Sequence, residues 1–83
     1  MSKKAYVLIQ TEMGTSTSVG NALRSKPGVL ISDVVSGPHD LVAVVQGEDS
    51  DAITRTVINE IQTIKGVTHT TTYMVFEDTT HKV

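Results

Sequence analysis

The alternation of apolar and polar positions along the chain predicts four strands and two helices. Residues 5–10 and 41–46 are runs of aliphatic, aromatic and β-branched side chains bounded by polar residues or glycine, which is typical of strands. Because the second run is apolar almost throughout, both faces of that strand are expected to be covered. The predicted elements are a strand at 5–10, a helix at 15–26, strands at 29–35 and 41–46, a helix from a cap at Asp49 or Ser50 to Ile64, and a strand at 67–76.

The sequence favours the second predicted helix more strongly than the first. The first opens on a Ser/Thr-rich stretch in which Thr15 or Ser16 is expected to cap the first turn, and it contains Gly20. Both helices end at a glycine, and the echo between 25–29 (Ser-Lys-Pro-Gly-Val) and 63–67 (Thr-Ile-Lys-Gly-Val) indicates two related halves. The second helix carries an apolar stripe at helical spacing, formed by Ile53, Val57, Ile61 and Ile64.

The order β-α-β-β-α-β predicts an α+β fold of the ferredoxin-like class, a sandwich of one four-stranded antiparallel sheet and two helices. Right-handed crossovers place both helices on the same face of the sheet, so the other face is bare in a single copy. A strand such as 41–46 has apolar side chains on both faces, and the helices cover only one. We therefore expect the chain to dimerise through the sheet.

Size and composition favour association. The 83 residues form one predicted domain, 1–83, with a core at about 5–76 and a polar C-terminal tail at 77–83. A domain this small has a marginal core, and the chain has no cysteine for disulfides. Only four residues precede the first strand, so we expect no helix-turn-helix domain.

The net charge and the hydropathy of the chain argue against two kinds of partner, nucleic acid and membranes. The formal net charge is −2 and the basic residues are scattered, so direct binding to nucleic acid is not expected. The longest apolar run, 41–45, is far too short to span a membrane, and a cytoplasmic location is expected.

The sequence offers little catalytic chemistry. It lacks a cysteine nucleophile, a Gly-x-Ser-x-Gly elbow, a phosphate-binding glycine loop and a His-Glu-x-x-His helix. The histidines are His39, His69 and His81, which the predicted elements do not bring together as metal ligands within one copy. We expect no enzyme activity, no metal and no cofactor.

Three segments carry a resemblance to a known family. The segment 35–43, Val-Ser-Gly-Pro-His-Asp-Leu-Val-Ala, resembles the hydrophobic-x-Gly-x-x-Asp-Leu-hydrophobic signature of the Lrp/AsnC ligand-binding domain, often called the RAM domain. The segment 66–75 is similar to that family's closing strand, Gly-Val-x-x-Thr-x-Thr, and Pro27-Gly28-Val29 matches its turn after the first helix. The resemblance runs from about Ala5 to Phe76 and is to the stand-alone form.

The resemblance implies a regulatory module that binds a small effector. Members of the family dimerise, close into octamers or similar rings, and sense amino acids between dimers. By this resemblance the site is formed by Gly37, His39 and Asp40 of one subunit with Thr70 and Thr72 of a neighbour. Full-length Lrp/AsnC-type regulators are further expected partners. His39 departs from the pattern, because an aromatic residue such as tyrosine is common there.

Three alternatives stay open at this point. Asp40 is also explained as a residue that fastens the turn, and Thr70 and Thr72 as ordinary cross-strand threonines. A small dimeric α+β-barrel enzyme of the monooxygenase type has a similar element order. A ring-forming scaffold without a ligand has the same composition.

Overall fold

The computed structural model describes residues 2–76, so the predicted polar tail and His81 lie outside the described residues. The four strands form one antiparallel sheet in the order β2-β3-β1-β4, which confirms the ferredoxin-like βαββαβ fold. The elements are β1 Lys3–Thr11, α1 Ser16–Arg24, β2 Val29–Val34, β3 Leu41–Gly47, α2 Ser50–Thr56, a π-helical segment Val57–Ile61 and β4 Val67–Met74.

The core lies between the helices and one face of the two central strands. Alternate side chains of β1 and β3 point to this face because successive residues of a strand point to opposite sides. All of them are aliphatic and buried, and they pack against apolar side chains of the helices. The core residues are Ala5, Val7, Ile9, Val19, Leu23, Leu41, Ala43, Val45, Ile53, Val57 and Ile61.

The opposite face of the sheet, here called the bare face, is covered by no helix of the described residues. Tyr6 and Tyr73 are direct cross-strand partners on this face and are 49% and 56% exposed. Ile31, on the edge strand β2, is paired with Val44 and is 52% exposed. The predicted placement of both helices on one side is therefore confirmed, and an apolar and aromatic surface is left open on the other.

The start of α1 differs from the prediction. Thr15 is at the N-cap position, but its side chain accepts no capping hydrogen bond from the first turn. The Thr15 hydroxyl instead donates a hydrogen bond of 2.7 Å to the carbonyl of Glu12. The helix ends at Arg24 rather than Lys26. The missing cap at Thr15 has a local reason: the rotamer in which a threonine hydroxyl donates to a nearby carbonyl competes with the rotamer in which its oxygen accepts from a helix N–H.

The start of α2 agrees with the prediction. The Asp49 carboxylate accepts a hydrogen bond of 2.8 Å from the backbone N–H of Ala52. Replacing Asp49 with alanine leaves that donor without its partner, and we expect a loss of about 1 kcal/mol in the free energy of unfolding. Urea denaturation measures this loss. Glu48→Ala, one residue earlier and without a cap, is the control and should change stability little.

The second helix does not continue as the uniform α-helix that the apolar stripe predicts. After Thr56 it widens into the π-helical segment, in which the N–H of Gln62 bonds the carbonyl of Val57 at 2.8 Å. Ile53, Val57 and Ile61 are spaced by four residues and all three are buried. In an α-helix of 3.6 residues per turn, residues four apart drift gradually around the helix, and one wider turn offsets that drift.

The two glycines of the sequence echo have the role that was predicted. Gly28 and Gly66 both have positive φ, +88° and +106°, where residues with a side chain are strained. A Cβ at Gly66 would lie 2.9 Å from the Thr15 hydroxyl oxygen, so this turn also brings α1 and the start of β4 together.

Candidate functional site

The turn between β2 and β3 is fastened to β1 through Asp40. The backbone N–H of Asp40 donates to the carbonyl of Ile9 at 2.9 Å, and its carbonyl accepts from the N–H of Val35 at 2.9 Å. Its carboxylate oxygen Oδ2 accepts from the N–H of Thr11 at 2.8 Å. Asp40 therefore holds the turn in place. Within residues 2–76, its second oxygen, Oδ1, has no hydrogen-bond partner.

The rest of the turn is open. A side chain at Gly37 would meet nothing within 4 Å, and Gly37 does not have a positive φ. The carbonyl of Pro38 accepts a hydrogen bond of 3.2 Å from the Gln10 side chain, and His39 is half-buried. The turn thus presents a small residue and an imidazole beside the fixed carboxylate of Asp40.

Thr70 and Thr72 lie on the edge strand β4. Their partners on β1 are Ile9 and Val7, whose side chains face the helices, so the threonines are on the helix side of the sheet. They line a groove of about 330 Å³ between β4 and the second helix. The groove is formed by Thr54, Val57, Ile58, Gln62, Thr70, Thr72 and Met74.

Gln62 belongs to this region and was missed by sequence reasoning. Its side-chain amide donates a hydrogen bond of 2.9 Å to the Thr70 hydroxyl. It also lines a neighbouring hollow of about 350 Å³ with Val67, Thr68, His69 and Thr70. The π-helical segment ends immediately before Gln62 and sets its direction, and no pattern in the sequence signals that wider turn.

The structure does not bring the two halves of the predicted site together within one copy. The register runs from Leu41 across Ile9 to Thr70, so β1 stands between the turn and β4. Two strand spacings separate the backbones of Leu41 and Thr70, which is about 10 Å. A pocket containing Asp40 and both threonines therefore stays a prediction about two copies.

Metal-ligand clusters and membrane-spanning helices are both absent from the described part of the chain. No group of three or more His, Cys, Asp or Glu side chains within residues 2–76 is arranged to hold a metal ion. Among the helices of the same residues, none is long and apolar enough to cross a membrane.

The fold and the groove define a small ferredoxin-like domain with an open sheet face. The family model described as the Lrp/AsnC ligand binding domain matches residues 4–82, and the chain belongs to that family. TTHA0845 from Thermus thermophilus has a similar crystal structure, with 32% identity, a TM-score of 0.86, and coverage of 90% of this chain and 94% of that one. No curated protein matches the chain.

Two longer chains share the fold. Escherichia coli AsnC has 22% identity and a TM-score of 0.89, with 98% of this chain and 55% of that chain covered. The transcriptional regulator NMB0573 from Neisseria meningitidis, solved in complex with L-Met, has 17% identity and a TM-score of 0.82, with 95% of this chain and 53% of that chain covered. The chain thus spans about half the length of these two proteins.

Proposed function

We propose that this protein is a regulatory module that binds an amino acid as its small effector and couples this binding to self-assembly. In this proposal residues 1–83 act as one domain in the cytoplasm, and the domain catalyses no reaction. The family is a ligand-binding one, and the NMB0573 relative was solved with L-Met. The observation that carries the proposal is Asp40, whose carboxylate is fixed through one oxygen while the other has no partner within residues 2–76.

The chemistry of the two half-sites suits an α-amino acid. The open oxygen of Asp40 is an acceptor for the ammonium group, and a charge-assisted hydrogen bond of this kind is about twice as strong as a neutral one. The hydroxyls of Thr70 and Thr72 and the amide of Gln62 supply donors for the carboxylate. Ile58 and Met74 line the same groove and offer an apolar contact to the ligand side chain.

The site needs more than one copy. β1 separates the turn from β4 within one chain, so a neighbour must contribute the other half. The bare face, with Tyr6, Ile31 and Tyr73, supports a dimer, and dimers then combine into a ring. Ligand binding and assembly are linked in this arrangement, because each shifts the other by the same free energy.

The same surfaces suit mixed assembly. AsnC and NMB0573 each carry this fold over about half of their length. We expect the chain to join such longer regulators through an equivalent sheet face and to affect regulation without contacting DNA itself.

The core argues against the barrel-type enzyme alternative. Such an enzyme places its substrate between sheet and helices. Here β1 and β3 fill that space with aliphatic side chains, among them Val7, Ile9 and Leu41, all with no exposed area. The other alternative, a ligand-free scaffold, predicts that no amino acid binds.

Thermal unfolding in the presence of each amino acid tests the proposal, with Asp40→Asn as the diagnostic variant. Asparagine keeps a side-chain oxygen for the Thr11 N–H but loses the charge that attracts an ammonium group. We expect one or two related amino acids to raise the Tm of the natural protein. A ligand at 100 times its Kd stabilises by about 2.7 kcal/mol, and each kcal/mol raises the Tm of a domain this small by about 4–8 °C.

The expected result for Asp40→Asn is a nearly unchanged Tm without ligand and the loss of most of the ligand-induced rise. Glu48→Gln removes an exposed carboxylate elsewhere and should keep the full rise. A flat response of the natural protein to every amino acid would favour the scaffold. A full response of Asp40→Asn would remove Asp40 from the binding site.

A further inference from the structure

The groove between β4 and the second helix, here called the groove at β4, has a polar end and an apolar end. At the polar end the Gln62 amide donates a hydrogen bond of 2.9 Å to the Thr70 hydroxyl. Met74 lies four residues further along β4, about 13 Å away. The groove is lined near Met74 by the aliphatic side chains of Val57 and Ile58. A ligand lying along the groove therefore contacts polar groups at one end and hydrocarbon at the other.

Among residues 2–76, the side chains that line the groove at β4 include no charged one. Charged residues are present on the neighbouring elements but point elsewhere. Arg55 and Glu60 line a different hollow, which they share with Pro27 and Gly28. Lys3 and Asp51 are exposed and do not line the groove. A charged ligand side chain would thus lose water here without gaining an ionic partner, which is unfavourable.

The apolar end of the groove has hydrocarbon surface that a ligand can cover. The side chains of Ile58 and Met74 are 51% and 38% exposed. Covering such surface is favourable in proportion to the apolar area removed from water. Methionine is unbranched and flexible, so Met74 can adapt to the shape of a ligand. The groove volume of about 330 Å³ is at the small end of the range for ligand sites, which suits a single amino acid.

From these features we infer that the effector is an α-amino acid with an uncharged, apolar side chain, and that Ile58 and Met74 determine this specificity. The inference rests on the proposed amino-acid site: the ligand carboxylate and ammonium group keep the contacts proposed above, and the ligand side chain lies between Ile58 and Met74. An amide side chain would find only the hydroxyl of Thr54 as a polar partner at this end.

Isothermal titration calorimetry of the assembled natural protein with the common amino acids and norleucine tests the inference. Leucine and aspartate have nearly the same shape, and norleucine and lysine share a carbon chain that ends in a methyl or an ammonium group. We expect the tightest binder to have an apolar side chain. In each pair the charged member should bind about tenfold more weakly, or weaker still, because its charge is unpaired.

Ile58→Glu places a carboxylate at the apolar end, at a half-exposed position that the fold does not need to bury. Lysine should bind this variant more tightly than norleucine, which is the reverse of the natural order. Met13→Glu adds the same charge at a loop residue that is 99% exposed, and it should keep the natural order. Met74→Glu introduces the carboxylate from β4 and replaces the first variant if that variant does not fold or assemble.

An apolar amino acid as the tightest binder, together with the reversed order in the carboxylate variant, supports the inference. A charged or polar amino acid as the tightest binder overturns it and leaves the amino-acid proposal standing. An unchanged order in both Ile58→Glu and Met74→Glu removes these two residues from the determination of specificity and overturns the inference in the same way. If no amino acid binds the natural protein, the proposed function itself fails, and the inference fails with it.

Discussion

Replacing Val44 with lysine is expected to convert the assembled protein into monomers. Val44 lies in the middle of the bare face, where Tyr6 and Ile31 are its cross-strand neighbours. In a monomer the lysine ammonium is solvated. In a sheet-to-sheet interface it is an unpaired buried charge, which costs several kcal/mol. The change therefore acts on the dimer and spares the fold.

Analytical ultracentrifugation over a range of concentrations measures this effect. The natural protein should sediment as a dimer or a larger ring, and the Val44→Lys protein as a single chain with an unchanged circular dichroism spectrum. Met13→Lys introduces the same charge at a loop residue that is 99% exposed, and it should leave assembly intact. A natural protein that is monomeric at every concentration contradicts the assembly proposal, and an assembled Val44→Lys protein moves the interface away from the bare face.

Replacing Gly66 with alanine is expected to reduce the free energy of unfolding by about 3 kcal/mol, through backbone strain and overpacking together. The φ of +106° is unfavourable for any residue with a Cβ. The new methyl group would also lie 2.9 Å from the Thr15 hydroxyl oxygen and 3.0 Å from a methyl carbon of Val19. Since Val19 is buried, it cannot move aside without disturbing the core.

Two other glycines separate the two causes. Gly14 has a φ of +82° but open space around it, so Gly14→Ala reports the backbone strain alone. Gly37 has neither a positive φ nor a close neighbour, and Gly37→Ala should be nearly neutral. Urea denaturation at one fixed protein concentration gives the three values. Equal losses at Gly66 and Gly14 would show that the contact with Thr15 contributes nothing.

The strands were predictable because burial imposes a simple rule on them. β1 and β3 are central, so their sequences are rich in apolar residues, and the structure differs from the predicted bounds by two residues or fewer. The cap at Asp49 was equally predictable, because the carboxylate of an aspartate at that position accepts a hydrogen bond from a first-turn N–H, here that of Ala52. The missing side-chain cap at Thr15 shows the limit of this reasoning: a threonine hydroxyl can accept from a helix N–H or donate to a nearby carbonyl, and here it donates to the carbonyl of Glu12.

The candidate site was predictable only in part. Asp40 lies in a recognisable turn motif, and its hydrogen bond to Thr11 gives that motif a structural reason. Gln62 could not be predicted because its position depends on the wider turn before it, and the stripe Ile53, Val57 and Ile61 fits either type of helix. Nor does a single sequence contain the contact between two copies that would join Asp40 to Thr70.

Because of the π-helical segment, the number of residues in the second helix affects the shape of the groove at β4 as much as their identity does. A π-helical turn takes up one residue more than an α-helical turn, so removing one residue between Val57 and Ile61 would return the helix to ordinary geometry without redirecting the residues that follow it. Gln62 would keep its hydrogen bond to Thr70, but the wall that Val57 and Ile58 form in the groove would change shape. In related chains, a one-residue gap at this place would mark a differently shaped groove even where the neighbouring residues are identical.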